Sequence, residues 1–189
     1  MGRNSFNTAK SLTKTALGAC LGVVGLCAGF APSAQADDPA FLSIAAGAYD
    51  FNRQKDQGAE FRVEYRGETK YFGFLKPFAA VAGATSSSSF FVGAGVLTDL
   101  YWGKRVVVTP SFAPHYYNGG NEKLDLDYAL EFRSQLEIAY RFDDRSRLGL
   151  AVSHYSNASL GKTNPGTESA MLYYSILGFL TNSLFRWTK

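Results

Sequence analysis

Apolar and polar residues alternate one by one along most of the chain after residue 40, which is the period of a β-strand with two different faces. The longest run is 128–142, and a shorter one is 60–66. In the first run the apolar positions are Leu130, Phe132, Leu136, Ile138, Tyr140 and Phe142, and the polar ones are Glu131, Arg133, Gln135, Glu137 and Arg141. No segment after the first 36 residues has a convincing helical period, so the pattern predicts an all-β protein.

The alternation predicts eight strands. Their approximate ranges are 40–52, 58–67, 71–83, 89–99, 105–117, 127–142, 146–156 and 168–179. Most have about 10 to 15 residues, against the ~5 to 6 of soluble sheets, and can cross a bilayer at a tilt. A soluble sandwich would show the same alternation, so strand length and loop pattern have to decide between the two classes.

Short and long connections also alternate. The short ones are predicted at 67–70, 101–104 and 143–145, and the long ones at 118–127 and 157–167. An even number of strands with short periplasmic turns and long external loops is typical of bacterial outer-membrane barrels. The sequence therefore predicts an eight-stranded antiparallel transmembrane β-barrel, with a periplasmic amino terminus and its odd-numbered connections outside.

Eight strands leave an interior just wide enough for side chains. A transport pore is therefore not expected, and the inward Glu and Arg residues are predicted to fill the lumen by pairing. Aromatic residues near the predicted strand ends suit an interfacial girdle, although ordinary packing would also accommodate them. These are Tyr101, Trp102, Tyr116, Tyr117 and Trp187.

The first 36 residues differ in composition from the rest and are interpreted as a cleaved signal peptide. Arg3, Lys10 and Lys14 precede an apolar stretch at 16–31, and Ala34-Gln35-Ala36 provides a small-residue cleavage site. The barrel domain is then predicted at 37–189. A membrane anchor is disfavoured because the apolar run is short and rich in glycine, and a lipoprotein site at the first cysteine would leave almost no apolar region.

Composition excludes several kinds of chemistry. Both cysteines, Cys20 and Cys27, lie in the predicted leader, so no disulfide or thiol chemistry is expected of the remaining chain. The excess of 19 basic over 16 acidic residues disappears once the three basic residues of the leader are removed. Nothing therefore favours a nucleic-acid partner. No metal-binding cluster is visible, and no metal or other cofactor is predicted.

The segments His154-Tyr155-Ser156-Asn157 and Asn164-Pro165-Gly166-Thr167-Glu168 bring together a base, a hydroxyl and a carboxylate. Residues two apart on a strand point to the same side, so His154 and Ser156 are neighbours on one face. That face continues the apolar stripe of Leu148, Leu150 and Val152, and Glu168 continues the stripe of Ala170, Leu172, Tyr174 and Ile176. The three groups are thus predicted on the outer wall near the external end, provided that the last strand has the register that sets Glu168 opposite His154.

Polar side chains on a lipid-facing wall are costly unless they have a function. Taken singly, His154 and Ser156 could simply lie at the water boundary, and Asn164-Pro165-Gly166 is an ordinary turn signal. Together they match the nucleophile, base and orienting carboxylate of a catalytic triad. The other histidine, His115, is interpreted as a rim residue at the end of the fifth strand.

These two segments resemble the motif of the lipid A 3-O-deacylases, the PagL-type barrels of Gram-negative outer membranes. The resemblance implies that Ser156 is the nucleophile, His154 the general base and Glu168 the carboxylate that orients the imidazole. It also implies that Asn164 helps stabilise the oxyanion together with a backbone N–H of residues 158–160, and that Asn157 shapes the loop. Ser159 stands where glycine is expected in relatives.

By this resemblance the substrate is lipid A of lipopolysaccharide among the outer-membrane lipids, and the reaction hydrolyses the ester of the 3-hydroxyacyl chain at position 3. Two other classes stay open: another acyl-chain enzyme, such as a phospholipase or acyltransferase, and a structural or adhesive barrel without activity. The sequence does not determine the oligomeric state, and a homodimer is left open.

Overall fold

The computed structural model describes residues 39–86 and 88–178. The predicted leader, Trp187 and the C-terminal residues lie outside this range. Within it the chain forms nine strands in antiparallel pairing. They are β1 (Phe41–Tyr49), β2 (Gly58–Arg66), β3 (Lys76–Ala84), β4 (Ser89–Leu97), β5 (Leu100–Trp102), β6 (Val106–Asn118), β7 (Leu130–Arg141), β8 (Arg147–Ser156) and β9 (Thr167–Leu177).

β4 and β5 both pair with β6, one after the other along its length, and together they take the place of one strand. The pairing of β4 with β6 closes the sheet, so the nine strands form an eight-stranded barrel. Leu97 pairs with Ser111 and Leu100 with Val108, so the register is unchanged across the gap. In the gap the N–H of Thr98 donates to the carbonyl of Pro110 at 3.1 Å. Proline has no N–H to return that bond, which interrupts the ladder. The predicted eight-stranded antiparallel barrel is confirmed.

The two faces of the wall have opposite character. Large apolar side chains point outward, including Ile44 at 57% exposure, Phe61 at 59% and Leu150 at 69%. A continuous apolar exterior of this kind suits hydrocarbon and not water. No helix in the described part of the chain is long and apolar enough to span a membrane.

The lumen is filled by ion pairs, as the sequence predicts. Glu64 accepts from Arg66 Nε and from Arg133 Nη2, each at 2.8 Å, and Arg66 Nη2 reaches Glu137 at 2.5 Å. All four side chains are essentially inaccessible to solvent. Pairing is what makes buried charge tolerable.

Aromatic rings occupy the end of the lumen nearest the long loops. Phe91 stacks on Tyr155 with centroids 4.4 Å apart and lies 5.1 Å from the ring of Tyr117, while Tyr49 and Leu126 belong to the same buried cluster. Side chains therefore fill this end of the barrel, in agreement with the expectation that it is no transport pore.

The connections confirm which end carries the longer loops, with one correction. Connections 50–57, 119–129 and 157–166 share one end with the tight turn 85–88. The opposite end has 103–105 and 142–146, but 67–75 is longer than the predicted turn. The prediction that a strand starts at residue 71 is wrong because Phe72 and Gly73 take φ of 52° and 82°, and a short turn pairs Tyr71 with Leu75.

Two predicted surface positions are also corrected. His115 is not at the rim: it is 1% exposed inside the lumen, where its Nδ1 lies 3.1 Å from the carbonyl of Ala113. Tyr117 is 4% exposed and points inward, whereas Tyr116 and Trp102 are exposed as a girdle requires. Burial alternates strictly over the last part of β6, from Phe112 to Asn118, so odd-numbered residues at this end face the lumen.

Candidate active site

His154 and Glu168 face each other across β8 and β9 on the outside of the barrel. The register pairs the two residues directly, and His154 Nδ1 lies 3.0 Å from Glu168 Oε1. An ionised carboxylate can only accept, so Nδ1 carries the hydrogen and Nε2 is left as the acceptor. This is the tautomer in which an imidazole can take a proton from a hydroxyl.

Ser156 lies two residues beyond His154 on the same face of β8, and its side chain is half-buried. Among the described residues, no hydrogen bond joins the Ser156 hydroxyl to His154. The structure thus forms the imidazole–carboxylate half of the predicted triad and sets the hydroxyl next to it on the same face. Catalytic hydrogen bonds often form only when substrate binds, so Ser156 is a candidate partner of His154 by its position on the same face.

A second outward hydroxyl, that of Ser134 on β7, was missed by sequence reasoning. Ser134 pairs directly with His154 across β7 and β8, and it is exposed. The alternation within one strand (the parity of its residue numbers) shows only which residues share a face. The closeness of Ser134 to His154 depends on the register between two strands, so that alternation could not reveal it. Ser134 and Ser156 are therefore the two hydroxyls to compare as partners of His154.

Asn157 organises the loop 157–166. Its side-chain nitrogen donates to the carbonyl of Leu126 at 3.1 Å and to that of Thr163 at 2.8 Å. Its side-chain oxygen accepts from the N–H of Ser159 at 2.9 Å. Asn157 is fully buried, and these bonds tie its loop to the neighbouring connection 119–129. These contacts fix the path of the loop in the described structure.

Asn164 meets the same loop from its far end. Its side-chain oxygen accepts from the N–H of Asn157 at 3.2 Å, and the residue is otherwise exposed. The NH₂ group of Asn164 is the donor of this amide and has no recorded partner in the described residues. The contact at its oxygen holds the Asn164 side chain next to the end of β8.

The backbone donors expected at residues 158–160 are mostly committed to the loop itself. The N–H of Ser159 binds the Asn157 side chain, and that of Leu160 binds the Asn157 carbonyl at 3.0 Å. Among the three N–H groups of residues 158–160, only that of Ala158 has no recorded partner in the described structure. Ala158 and Ser159 have φ of 52° and 64°, the left-handed region that favours glycine. This explains why glycine would be expected where Ser159 stands.

Arg53, in the connection 50–57, is a further residue that sequence reasoning missed. Its Nε lies 3.5 Å from Glu168 Oε2, with side chains 36% and 14% exposed. Gly166 lies next to this contact: its φ is 60°, and an added Cβ would crowd His154 Cε1 at 3.1 Å and touch Arg53 Nη2 at 3.4 Å. Arg53 is distant in sequence and lies in a loop without periodicity, so nothing in the chain pattern signals it.

The outer wall beyond the His154–Glu168 pair, called the dyad below, is apolar. A shallow groove of about 580 Å³ runs across β9, β1, β2 and β3. Its outward lining includes Leu172 and Tyr174, which continue the stripe of Glu168 along β9, together with Ile44 and Phe61.

In residues 39–86 and 88–178, no group of three His, Cys, Asp or Glu side chains could hold a metal ion.

Comparison with known proteins identifies the family. A family model described as "Lipid A 3-O-deacylase (PagL)" matches residues 61–176, which is more than half of the chain. The chain belongs to this family. The match includes β8, the loop after it and β9 up to Ile176, and therefore His154, Ser156 and Glu168. It begins after the connection 50–57, so Arg53 lies outside it.

Solved structures agree on the fold of this family member. It is similar to "Crystal structure of the outer membrane enzyme PagL", at 18% identity and a TM-score of 0.58, covering 72% of this chain and 98% of that one. It is also similar to a barrel from "De novo design of transmembrane beta-barrels", at 12% identity and a TM-score of 0.51, covering 75% and 98%. No match was found among curated proteins.

Proposed function

We propose that the protein is a serine esterase of the Gram-negative outer membrane that removes the 3-O-linked 3-hydroxyacyl chain of lipid A. Family membership supports the reaction class. The single observation that carries the site is the pairing of His154 with Glu168 at 3.0 Å on the outside of the barrel. A histidine–carboxylate pair on an otherwise apolar exterior is costly unless it works there.

In the proposed mechanism, His154 Nε2 takes the proton of the Ser156 hydroxyl while Oγ attacks the ester carbonyl. Glu168 stabilises the imidazolium that forms. The tetrahedral intermediate collapses by breaking the bond to the sugar oxygen, which takes the proton back from His154. Water then attacks the acyl-enzyme with His154 again as base, releasing the 3-hydroxy fatty acid and restoring Ser156.

The oxyanion would be stabilised by donors of the loop 157–166. The NH₂ group of Asn164 and the N–H of Ala158 are the two candidates, because the other nearby donors hold the loop. Ala158 is two residues from Ser156, and the Asn164 side chain accepts from the N–H of Asn157, which directly follows Ser156. Ser134 lies four residues inside the loop end of β7, and neither donor is next to it in the chain or in the strand pairing. Preorganised donors at the developing negative charge usually make the largest single contribution to the rate of acyl transfer. The position of these donors therefore favours Ser156 over Ser134 as the nucleophile.

An outward site fits a lipid substrate. The acyl chains of a lipid lie parallel to the barrel wall, so its ester can reach Ser156 by lateral diffusion within the leaflet. His154 is two residues from the end of β8, and at about 3.3 Å per residue the site lies within ~10 Å of the loop end. That depth suits an ester between headgroup and acyl chains, and the apolar groove below suits the chains. The leader predicted at residues 1–36 would direct export of the chain from the cytoplasm and be removed by cleavage before residue 37.

The test is incubation of the purified protein with lipid A in detergent, followed by mass spectrometry. We expect loss of one 3-hydroxyacyl chain with wild-type protein and with Ser134→Ala, and at least a 1000-fold lower rate with Ser156→Ala or His154→Asn, on the order of the loss when a triad member is removed. Circular dichroism should show the same β-sheet content in all four proteins.

Three results would contradict the proposal in different ways. If Ser156→Ala keeps the deacylase activity and Ser134→Ala loses it, the nucleophile is Ser134 on β7 and not Ser156. Release of fatty acid only from added glycerophospholipid would make the protein a phospholipase. If the folded wild-type protein leaves the mass of lipid A unchanged, the barrel does not have this deacylase activity.

A further inference from the structure

Glu168 contacts two partners, one with each carboxylate oxygen. Oε1 meets His154 Nδ1 at 3.0 Å, and Oε2 meets Arg53 Nε at 3.5 Å. Oε2 is inaccessible to solvent and has no hydrogen bond in the described structure, so the ion pair with Arg53 is the contact recorded for it. A carboxylate held at one oxygen alone can rotate about its terminal bond, whereas contacts at both oxygens fix its plane.

The connection 50–57 is built in a way that holds Arg53 at this place. Asp50 is fully buried, and its Oδ2 accepts from the N–H groups of Lys55 and Asp56, both at 2.7 Å. The N–H of Gln54 donates to the carbonyl of Asp50 at 3.1 Å. The same loop is attached to its target, because the N–H of Phe51 donates to the carbonyl of Glu168 at 3.3 Å.

An exposed ion pair on a mobile loop contributes little, since ordering two long side chains offsets the attraction. Here the loop is already ordered by Asp50 and bound to the backbone of the residue that its arginine contacts. Much of the ordering cost is therefore met by the fold, and the guanidinium lies beside a carboxylate that is only 14% exposed.

We propose that Arg53 is a positioning residue: it holds the plane of the Glu168 carboxylate so that Oε1 stays on His154 Nδ1 and Nε2 stays turned towards the reacting hydroxyl. This inference rests on the proposed function and adds a fourth residue, from another loop, to the arrangement. Arg53 acts through Glu168 and need not touch the lipid.

The experiment is a double-mutant cycle on the purified full-length protein with lipid A in mixed micelles. Arg53→Gln should lower kcat about 10- to 100-fold, a typical cost of a misplaced catalytic group, and leave KM within about twofold. Arg53→Lys should recover part of the loss, because it keeps the charge but not the planar fork. In a Glu168→Gln background, Arg53→Gln should cause no further loss, since the residue through which it acts is already changed.

A second measurement does not depend on residual activity. The chain has two histidines, so the Nδ1–H proton resonance of His154 can be assigned by NMR with His154→Asn as reference. We expect Arg53→Gln to shift this resonance upfield or broaden it, as a weaker and less ordered hydrogen bond to Glu168 would.

Lys55→Gln is the matched control, because it removes the same charge from the same loop at an exposed position without contact to Glu168. It should leave kcat and the His154 resonance unchanged. The proposal is overturned if Arg53→Gln leaves either kcat or the resonance unchanged, if it raises KM alone, or if Lys55→Gln reproduces its effect. A folded wild-type protein without deacylase activity, or a fully active Glu168→Gln, would instead contradict the proposed function itself, and the inference with it.

Discussion

Ser159 occupies a backbone conformation that its side chain disfavours. Its φ of 64° lies in the left-handed region, directly after Ala158 at 52°. Each such residue costs roughly 1 kcal/mol relative to glycine, which adopts the region freely. Two in succession persist because the side chain of Asn157 and the carbonyl of the same residue hold the N–H groups of Ser159 and Leu160.

Ser159→Gly should therefore stabilise the protein by about 0.5–1 kcal/mol, because relief of strain exceeds the added freedom of the unfolded chain. Urea unfolding in detergent, followed by circular dichroism, measures the change. Lys162→Gly is the control in the same loop: Lys162 is not among the described residues with positive φ, so the change should destabilise slightly. Equal effects of the two substitutions would show that strain at Ser159 is not the cause.

The sequence predicts the direction of a side chain where the alternation of a single strand determines it. It does not predict a contact that depends on how two separate segments of the chain come together. The alternation of β8 and β9 alone predicts that His154, Ser156 and Glu168 point outward, and in the structure they lie on the more exposed face of each strand. The inward position of His115 also follows from the parity of β6, but its closeness to the strand end suggested a rim residue. Arg53 could not be predicted, because its contact with Glu168 depends on the path of a loop.

At the level of elements, the loop 157–166 depends on one buried side chain. Asn157 makes three side-chain hydrogen bonds, and one of them reaches the connection 119–129. The strands on either side are held by their own ladder and do not need these bonds. Loop geometry and barrel stability are thus separable here.

Asn157→Ala should lower the deacylation rate about 10- to 100-fold while the barrel remains folded, because the donors beside Ser156 lose their fixed positions. Limited trypsin digestion gives a second readout, since Lys162 in the released loop should be cut faster. Asn118→Ala, at an exposed position at the end of β6, should change neither result. Wild-type activity combined with faster cleavage would show that the loop is not needed for catalysis.

The strands themselves were largely predictable, and the exceptions have local causes. Period two marks β2, β7 and β8 to within a few residues because each strand meets lipid on one side and a charged lumen on the other. The pattern could not reveal the interruption between β4 and β5, which comes from the missing N–H of a proline on the neighbouring strand. It also misassigned residues 71–75, whose apolar composition continues the strand pattern although the backbone turns.

At the scale of the whole molecule, the barrel separates its charges into two environments. Ion pairs in the lumen are withdrawn from solvent and hold neighbouring strands to those across the barrel, as Glu64 on β2 does with Arg133 on β7. His154 and Glu168 lie on the opposite, more exposed face of their strands and share no recorded contact with these lumen ion pairs in the described structure. Changes in the lumen should therefore affect stability and leave the chemistry intact.

Glu64→Ala tests this separation. It leaves Arg133 without the one ion pair recorded for it in the described chain and removes one of the two carboxylates that contact Arg66, so unfolding should become easier by about 3–5 kcal/mol. Asp143→Ala is the control, because its pair with Arg105 at 2.6 Å is exposed and should be worth less than about 1 kcal/mol. Urea unfolding in detergent measures both, and the fraction of Glu64→Ala that remains folded should deacylate lipid A at the wild-type rate. A lower rate per folded molecule would mean that the lumen and the outer site are coupled through the wall.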